Sequence, residues 1–239
     1  MSASLSGKLA VVTGATRGIG RAIAERLARD GAQVIGTGSA AQGSAPEGCT
    51  YRGVDFIDTA ATEAFGAELA RLGVDILVNN AGVNRLAPFA EIETKDIVRL
   101  HQVNVLAPML LCRAVVPSMR AKRWGRIVNV GSIWSLASMR NRAAYSATKF
   151  ALDGMSIALA EEVGADNVLV NLASPGFIDT EMLHGVLDDE QIDELVAKVP
   201  MRRLGRPEEI AALVAWLAGP ENTFVTAQNI PIDGGFTRT

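Results

Sequence analysis

Six short apolar runs rich in β-branched residues punctuate the chain: KLAVVTG (8–14), AQVIGT (32–37), CTYRGVD (49–55), VDILVNN (74–80), GRIVNVGS (125–132) and VLVNLASPG (168–176). Their apolar character is nearly continuous rather than alternating, the pattern of parallel strands covered on both faces. Longer helix-like stretches separate them, at 18–30, 59–72, 95–121, 143–163 and 207–218. Such alternation, with no break in composition across 239 residues, predicts βαβ units on one parallel sheet, an α/β chain forming one domain. The segment after 37, GSAAQGSAPEG, is rich in Gly, Ser and Ala and predicts a loop in place of a crossover helix. A seventh piece, AQNIPID (227–233), carries Pro231, which cannot donate to a ladder and therefore suits an edge strand.

Composition narrows the partners. A net charge of −3 argues against nucleic acid or an anionic membrane, both of which want a basic face. The opening MSASLSGKLAVVTG lacks the charged and apolar regions of a signal peptide, and no apolar run approaches the ~20 residues of a membrane span. A cytoplasmic location is expected, with Cys49 and Cys112 as reduced thiols. His101 and His184 are the only histidines and no HxxxH or CxxC spacing occurs, so no metal site is expected. His101 reads as a structural helix residue and His184 as part of a lid over 181–200; neither is assigned chemistry.

The first strand runs into TGATRGIG (13–20) and then a helix. Gly14, Gly18 and Gly20 allow a tight turn and close approach of backbone to a pyrophosphate, and the helix N-terminus offers free N–H groups. With Thr16, Arg17 and Ile19 between them, these glycines predict a dinucleotide cradle. A site for NAD usually ends its second strand with an acid that holds the ribose 2′-OH. Here that strand ends Gly36-Thr37-Gly38-Ser39, and no acid occurs from Gly31 to Pro46. Arg17 could instead meet a 2′-phosphate, with Thr37 and Ser39 adding hydroxyls, so NADP(H) is favoured over NAD(H).

Tyr145 and Lys149 stand four apart in a helical stretch, and i and i+4 share a face. Reducing a ketone needs a hydride on one side and a proton for the nascent alkoxide on the other. Tyr145 can give that proton. A cation about 4 Å away, at an effective dielectric of ~20, is worth roughly 4 kcal/mol, enough to draw the phenol towards neutrality. Ser132 closes the strand GRIVNVGS at the carboxyl edge, where ligands bind in open α/β sheets. Its hydroxyl can hold the substrate oxygen in line with the tyrosine.

Taken in order, TGATRGIG, NNAG (79–82), Asn104, Ser132, Tyr145-x-x-x-Lys149, PGFIDT (175–180), RLGRPEEIA (203–211) and DGG (233–235) resemble the short-chain dehydrogenase/reductase family over essentially the whole chain. The 3-oxoacyl-[acyl-carrier-protein] reductase-like members are the most similar. The resemblance implies a single-domain, doubly wound Rossmann fold. Its seven-stranded parallel sheet would have the order 3-2-1-4-5-6-7, with helices on both faces, in a homotetramer or homodimer. It also implies that Lys149 bonds the nicotinamide ribose and that Asn104 anchors a proton-relaying water. Asp55 would meet the adenine, Asn79, Ala81 and Gly82 the ribose side, and Ile178 and Thr180, after Pro175-Gly176, the carboxamide.

The expected reaction is ketone–alcohol interconversion on a small-molecule substrate, foremost NADPH-dependent reduction of a 3-oxoacyl thioester. A sugar, polyol or other small carbonyl compound is the alternative, and a dinucleotide sensor without chemistry a third reading. Arg123 and Arg126, and the Arg140/Arg142 pair, fit the basic patch an acidic carrier protein would meet. Glu161, Glu162 and Asp166 would repel it. In IWSLASMRNRA (133–143), Trp134 and Met139 could wall an apolar pocket, and Arg140 and Arg142 could meet a small anionic substrate.

Overall fold

The computed structural model describes residues 5–239. Seven strands, β1 (Leu9–Val12), β2 (Gln33–Gly38), β3 (Cys49–Gly53), β4 (Ile76–Asn79), β5 (Gly125–Val130), β6 (Val168–Pro175) and β7 (Asn229–Ile232), form one sheet in the order β3-β2-β1-β4-β5-β6-β7. Every pairing is parallel. Alternate residues of each strand point to opposite faces, which produces two cores. Ala10, Val12, Ile76, Val78 and Val128 pack under α1 (Gly18–Arg29) and α8 (Pro207–Ala218). Val11, Leu77 and Ile127 pack under α2 (Thr59–Leu72), α4 (Ala107–Lys122) and α5 (Ala143–Val163). Pro231 lies in β7, which pairs with β6 alone, so its missing N–H faces no neighbour.

No helix joins β2 to β3. The connecting loop folds over Tyr51, whose hydroxyl donates to the Ala40 carbonyl at 2.6 Å. A Cβ at Gly38 or Gly43 would come within 2.7 Å of the Tyr51 ring or hydroxyl, which explains the loop's glycines.

The helix expected over 95–121 spans α3 (Thr94–His101) and α4 as one rod of 29 residues, broken in register by a π-turn at Gln102–Leu106. By length and hydropathy that rod could cross a membrane. Half of its most apolar window is buried within the protein, so packing against the sheet accounts for much of its composition. The 181–200 segment holds two short helices, α6 (Glu181–His184) and α7 (Asp189–Val196), the second entered by a capping box at Asp188. Cys49 and Cys112 are free thiols; burial pushes Cys112 up to about 12.

Candidate active site

The chain leaves β1 for β2 and β3 on one side, then returns to β4 on the other. The carboxyl ends of β1 and β4 therefore diverge around a crevice. A cleft of about 610 Å³ opens there. One wall comes from the turn after β1. Gly14 and Gly18 hold positive φ, +65° and +53°. A Cβ on Gly20 would sit 2.2 Å from the Gly14 carbonyl oxygen and 2.3 Å from the Asn80 amide, so only glycine fits. Arg17 enters α1 in extended backbone, and neither a side-chain cap nor an acid occupies the first turn, leaving N–H groups for a ligand. This cradle fits a pyrophosphate.

The turn is held from behind. Thr13 Oγ1 accepts from the Asn80 and Ala81 N–H groups, both at 2.9 Å, and the Asn80 amide donates to the Thr13 and Gly14 carbonyls. The Thr37 hydroxyl accepts from Gly14 N–H at 3.1 Å and is fully buried. It braces the loop from the cleft wall. Asn79, expected on the ribose side, does not line the cleft. Its amide donates to Asn129 and Cys112 behind the cleft, and Asn80 lines the wall instead. Thr13 and Asn80 were missed; the NNAG motif contained the signal, with the structural amide one position later.

Gly14, Thr16, Arg17, Gly18, Ile19, Gly20, Thr37, Ser39, Asp55, Ala81 and Gly82 all line the cleft, as do Pro175, Gly176, Ile178 and Thr180 beyond β6. Arg17 reaches Glu181 of α6 at 3.3 Å, an exposed ion pair at the cleft rim. Thr180 caps α6 through Leu183 N–H.

The other half of the cleft gathers Ser132, Trp134, Arg142, Tyr145 and Lys149. Ser132 is buried, and its hydroxyl accepts from Trp134 N–H at 3.2 Å. Trp134 packs edge-on against Phe177 and Phe236. Lys149 donates to the Val130 carbonyl at 2.9 Å and lies 5.6 Å from the centre of the Tyr145 ring. Burial without a carboxylate pushes it down to about 8.

Burial also raises the Tyr145 phenol above its usual value, opposed by hydrogen bonding from Ser132 and by the Arg142 charge. Lys149, expected to draw the phenol down, stands over the Tyr145 ring. Its ammonium is bonded to the Val130 carbonyl. Arg140 and Met139 are exposed and do not line the cleft; Arg142 lines it.

Asn104 occupies the π-turn and is 1 % exposed. Its Oδ1 accepts from Val83 N–H, while Nδ2 donates to the Val83 carbonyl and Thr148 hydroxyl. The side chain thus ties the loop after β4 to the helix that carries Tyr145 and Lys149. π-turns recur at functional sites because they re-aim a helix residue without breaking the helix.

A family model described as enoyl-(acyl carrier protein) reductase matches residues 14–237. The 3-oxoacyl-[acyl-carrier-protein] reductase of Vibrio cholerae is 41 % identical, over 97 % of this chain and 98 % of that protein. A Beutenbergia cavernae structure, provisionally named an NAD(P)-dependent gluconate 5-dehydrogenase, superposes with a TM-score of 0.93 at 35 % identity, covering 99 % of each chain. The gluconate 5-dehydrogenase of Burkholderia cenocepacia, in complex with NADP and tartrate, gives 0.90 at 29 %, covering 99 % of this chain and 97 % of that one. With a dinucleotide cradle, a Ser–Tyr–Lys group in the cleft and this likeness along its length, the chain belongs to the short-chain dehydrogenase/reductase family and is an NAD(P)-dependent oxidoreductase of CH–OH groups, resembling 3-oxoacyl-[acyl-carrier-protein] reductases.

Proposed function

We propose that the enzyme uses NADP(H) to interconvert the ketone and alcohol of a small free compound, such as a sugar, a polyol or their acids. The carrying observation is on the surface where an acidic carrier protein would dock. Asp166 holds Arg120 at 2.6 Å and Arg123 at 3.2 Å, so the charge of Arg123 in the expected basic patch is partly offset within the chain. Arg126 contributes nothing to it, being 2 % exposed and bonded to the carbonyls of Gly125, Asn167 and Asn222. Glu161 and Glu162 are left exposed beside the pair. The gluconate 5-dehydrogenase likeness supports the same reading.

The preference for NADP(H) rests on Arg17 at the rim and on the absence of an acid at the end of β2. When bound, the nicotinamide supplies or accepts the hydride. Tyr145 holds the proton given to the alkoxide, and Ser132 orients the substrate oxygen against it. Lys149, fixed by Val130, stands where it could reach the cofactor ribose. Asn104 positions the helix that carries both residues; a water relay would use its main chain, since its side chain is fully engaged.

The whole chain would act as one unit, with 181–200 as its lid. Exposed Met109, Phe150 and Ile157 on α4 and α5 favour a homotetramer or homodimer. A cytoplasmic setting without nucleic acid or membrane partners suits the acidic composition.

Reduction of a 3-oxoacyl thioester is the second reading, favoured by the 41 % identity to the Vibrio cholerae enzyme. Loss of reduced-nicotinamide absorbance separates the two. NADPH and NADH are supplied in parallel to acetoacetyl thioesters, small diketones and keto sugars. Turnover of small ketones with NADPH is expected; turnover confined to thioesters would move the enzyme to the second reading.

A further inference from the structure

Arg142 is 7 % exposed, yet its guanidinium makes no hydrogen bond or ion pair among the described residues. The other deeply buried arginine, Arg126, has carbonyls around it. Arg142 has only the face of Trp134, 5.5 Å from its central carbon, and an opening onto the cleft. Burial lowers its pKa, opposed by the neighbouring Tyr145.

Its place in the chain is informative. It immediately precedes α5, three residues before Tyr145, so the two side chains share one face at the start of the helix. Ser132, Tyr145 and Arg142 thus border the same part of the cleft. Lys149, the neighbouring cation, already has the Val130 carbonyl.

The geometry points to Arg142 as the specificity residue of this site, holding a carboxylate that the substrate carries a few carbons from its reacting carbonyl. A guanidinium offers a carboxylate two parallel N–H donors. A buried cation without a partner is costly, and a ligand that brings the partner relieves that cost. A neutral 3-oxoacyl chain would cover the cation and leave it unpaired. This assignment rests on the small-carbonyl reading and narrows it to keto acids and hydroxy acids.

Calorimetry on the NADP⁺-loaded enzyme tests it, because a ketone forms an unreactive complex with the oxidised cofactor. Acetoacetate would be compared with methyl acetoacetate, and 5-ketogluconate with fructose. At least one acid should bind about ten-fold more tightly than its neutral partner. Arg142→Gln should erase that difference while leaving NADP⁺ affinity and neutral-ketone binding in place, and Arg142→Lys should keep part of it. The assignment is overturned if no acid is preferred, if no acid binds, or if Arg142→Gln leaves the preference intact. It is overturned too if the variant loses cofactor, acid and neutral ketone together, the mark of a purely structural residue. NADPH turnover of methyl acetoacetate or fructose without any acid preference would sink this inference and spare the small-carbonyl reading. Turnover of acetoacetyl thioester alone would sink the reading itself.

Discussion

The two halves of the cleft handle polar groups in opposite ways. Around the glycine loop, Thr13, Thr37 and Asn80 are bonded to backbone, and the loop is fixed before any ligand arrives. Around α5, one buried guanidinium has no polar partner among the described residues, and a buried ammonium has a single carbonyl. A satisfied network makes a rigid cradle for a group that never changes, while a cation open to the cleft leaves its partner to be supplied by a ligand. One wall is finished without its ligand and the other is not.

That contrast is open to attack. The largest effect is expected from Gly20→Ala, whose Cβ would fall 2.2 Å from the Gly14 carbonyl. Because the loop is tied on three sides it cannot yield, and NADP⁺ affinity should drop roughly 10- to 100-fold by titration, an overpacking cost of ~1–3 kcal/mol. Unchanged affinity would mean that the cradle is softer than its bonds suggest.

Arg17→Ala should weaken NADPH about ten-fold and leave NADH nearly unchanged, since a charge-assisted bond to phosphate is lost only from the former. Equal losses would leave Glu181, not a phosphate, as the partner that matters to Arg17.

A smaller effect is expected from Lys149. Its folded pKa of about 8 lies below the usual 10.5, so the unfolded chain holds that proton more tightly. The penalty for burying the charge is complete below pH 8 and fades as pH rises towards 10.5. Lys149→Met should therefore be inactive yet more stable at pH 7, by on the order of 1 kcal/mol, with the gain shrinking at pH 10. Denaturant melts at both pH values measure it. A variant less stable at pH 7 would show that the bond to Val130 outweighs desolvation.

Much of this architecture was legible because it is written locally. Strand–helix alternation announces a parallel sheet, three glycines between a strand and a helix announce a cradle, and a four-residue spacing puts Tyr145 and Lys149 on one face. What stayed hidden depends on residues far away in sequence. The Thr37 hydroxyl supports the loop because β2 lies beside β1, and Lys149 is anchored because the Val130 carbonyl is within reach. The π-turn at Asn104 follows from bonds to Val83 and Thr148, neither of which is near in sequence. Arg126 was readable in part. It shares strand parity with core residues Val128 and Val130, which places it inside rather than at a docking surface.

The most direct test is the rate of NADPH oxidation by Tyr145→Phe, with cofactor saturating and the ketone that the wild type reduces fastest. With Tyr145 as the proton donor, turnover should fall ~10²- to 10⁴-fold while NADP⁺ affinity stays within about two-fold. A variant that kept turnover within about ten-fold of wild type would contradict that assignment and, with it, the chemistry assigned to this half of the cleft.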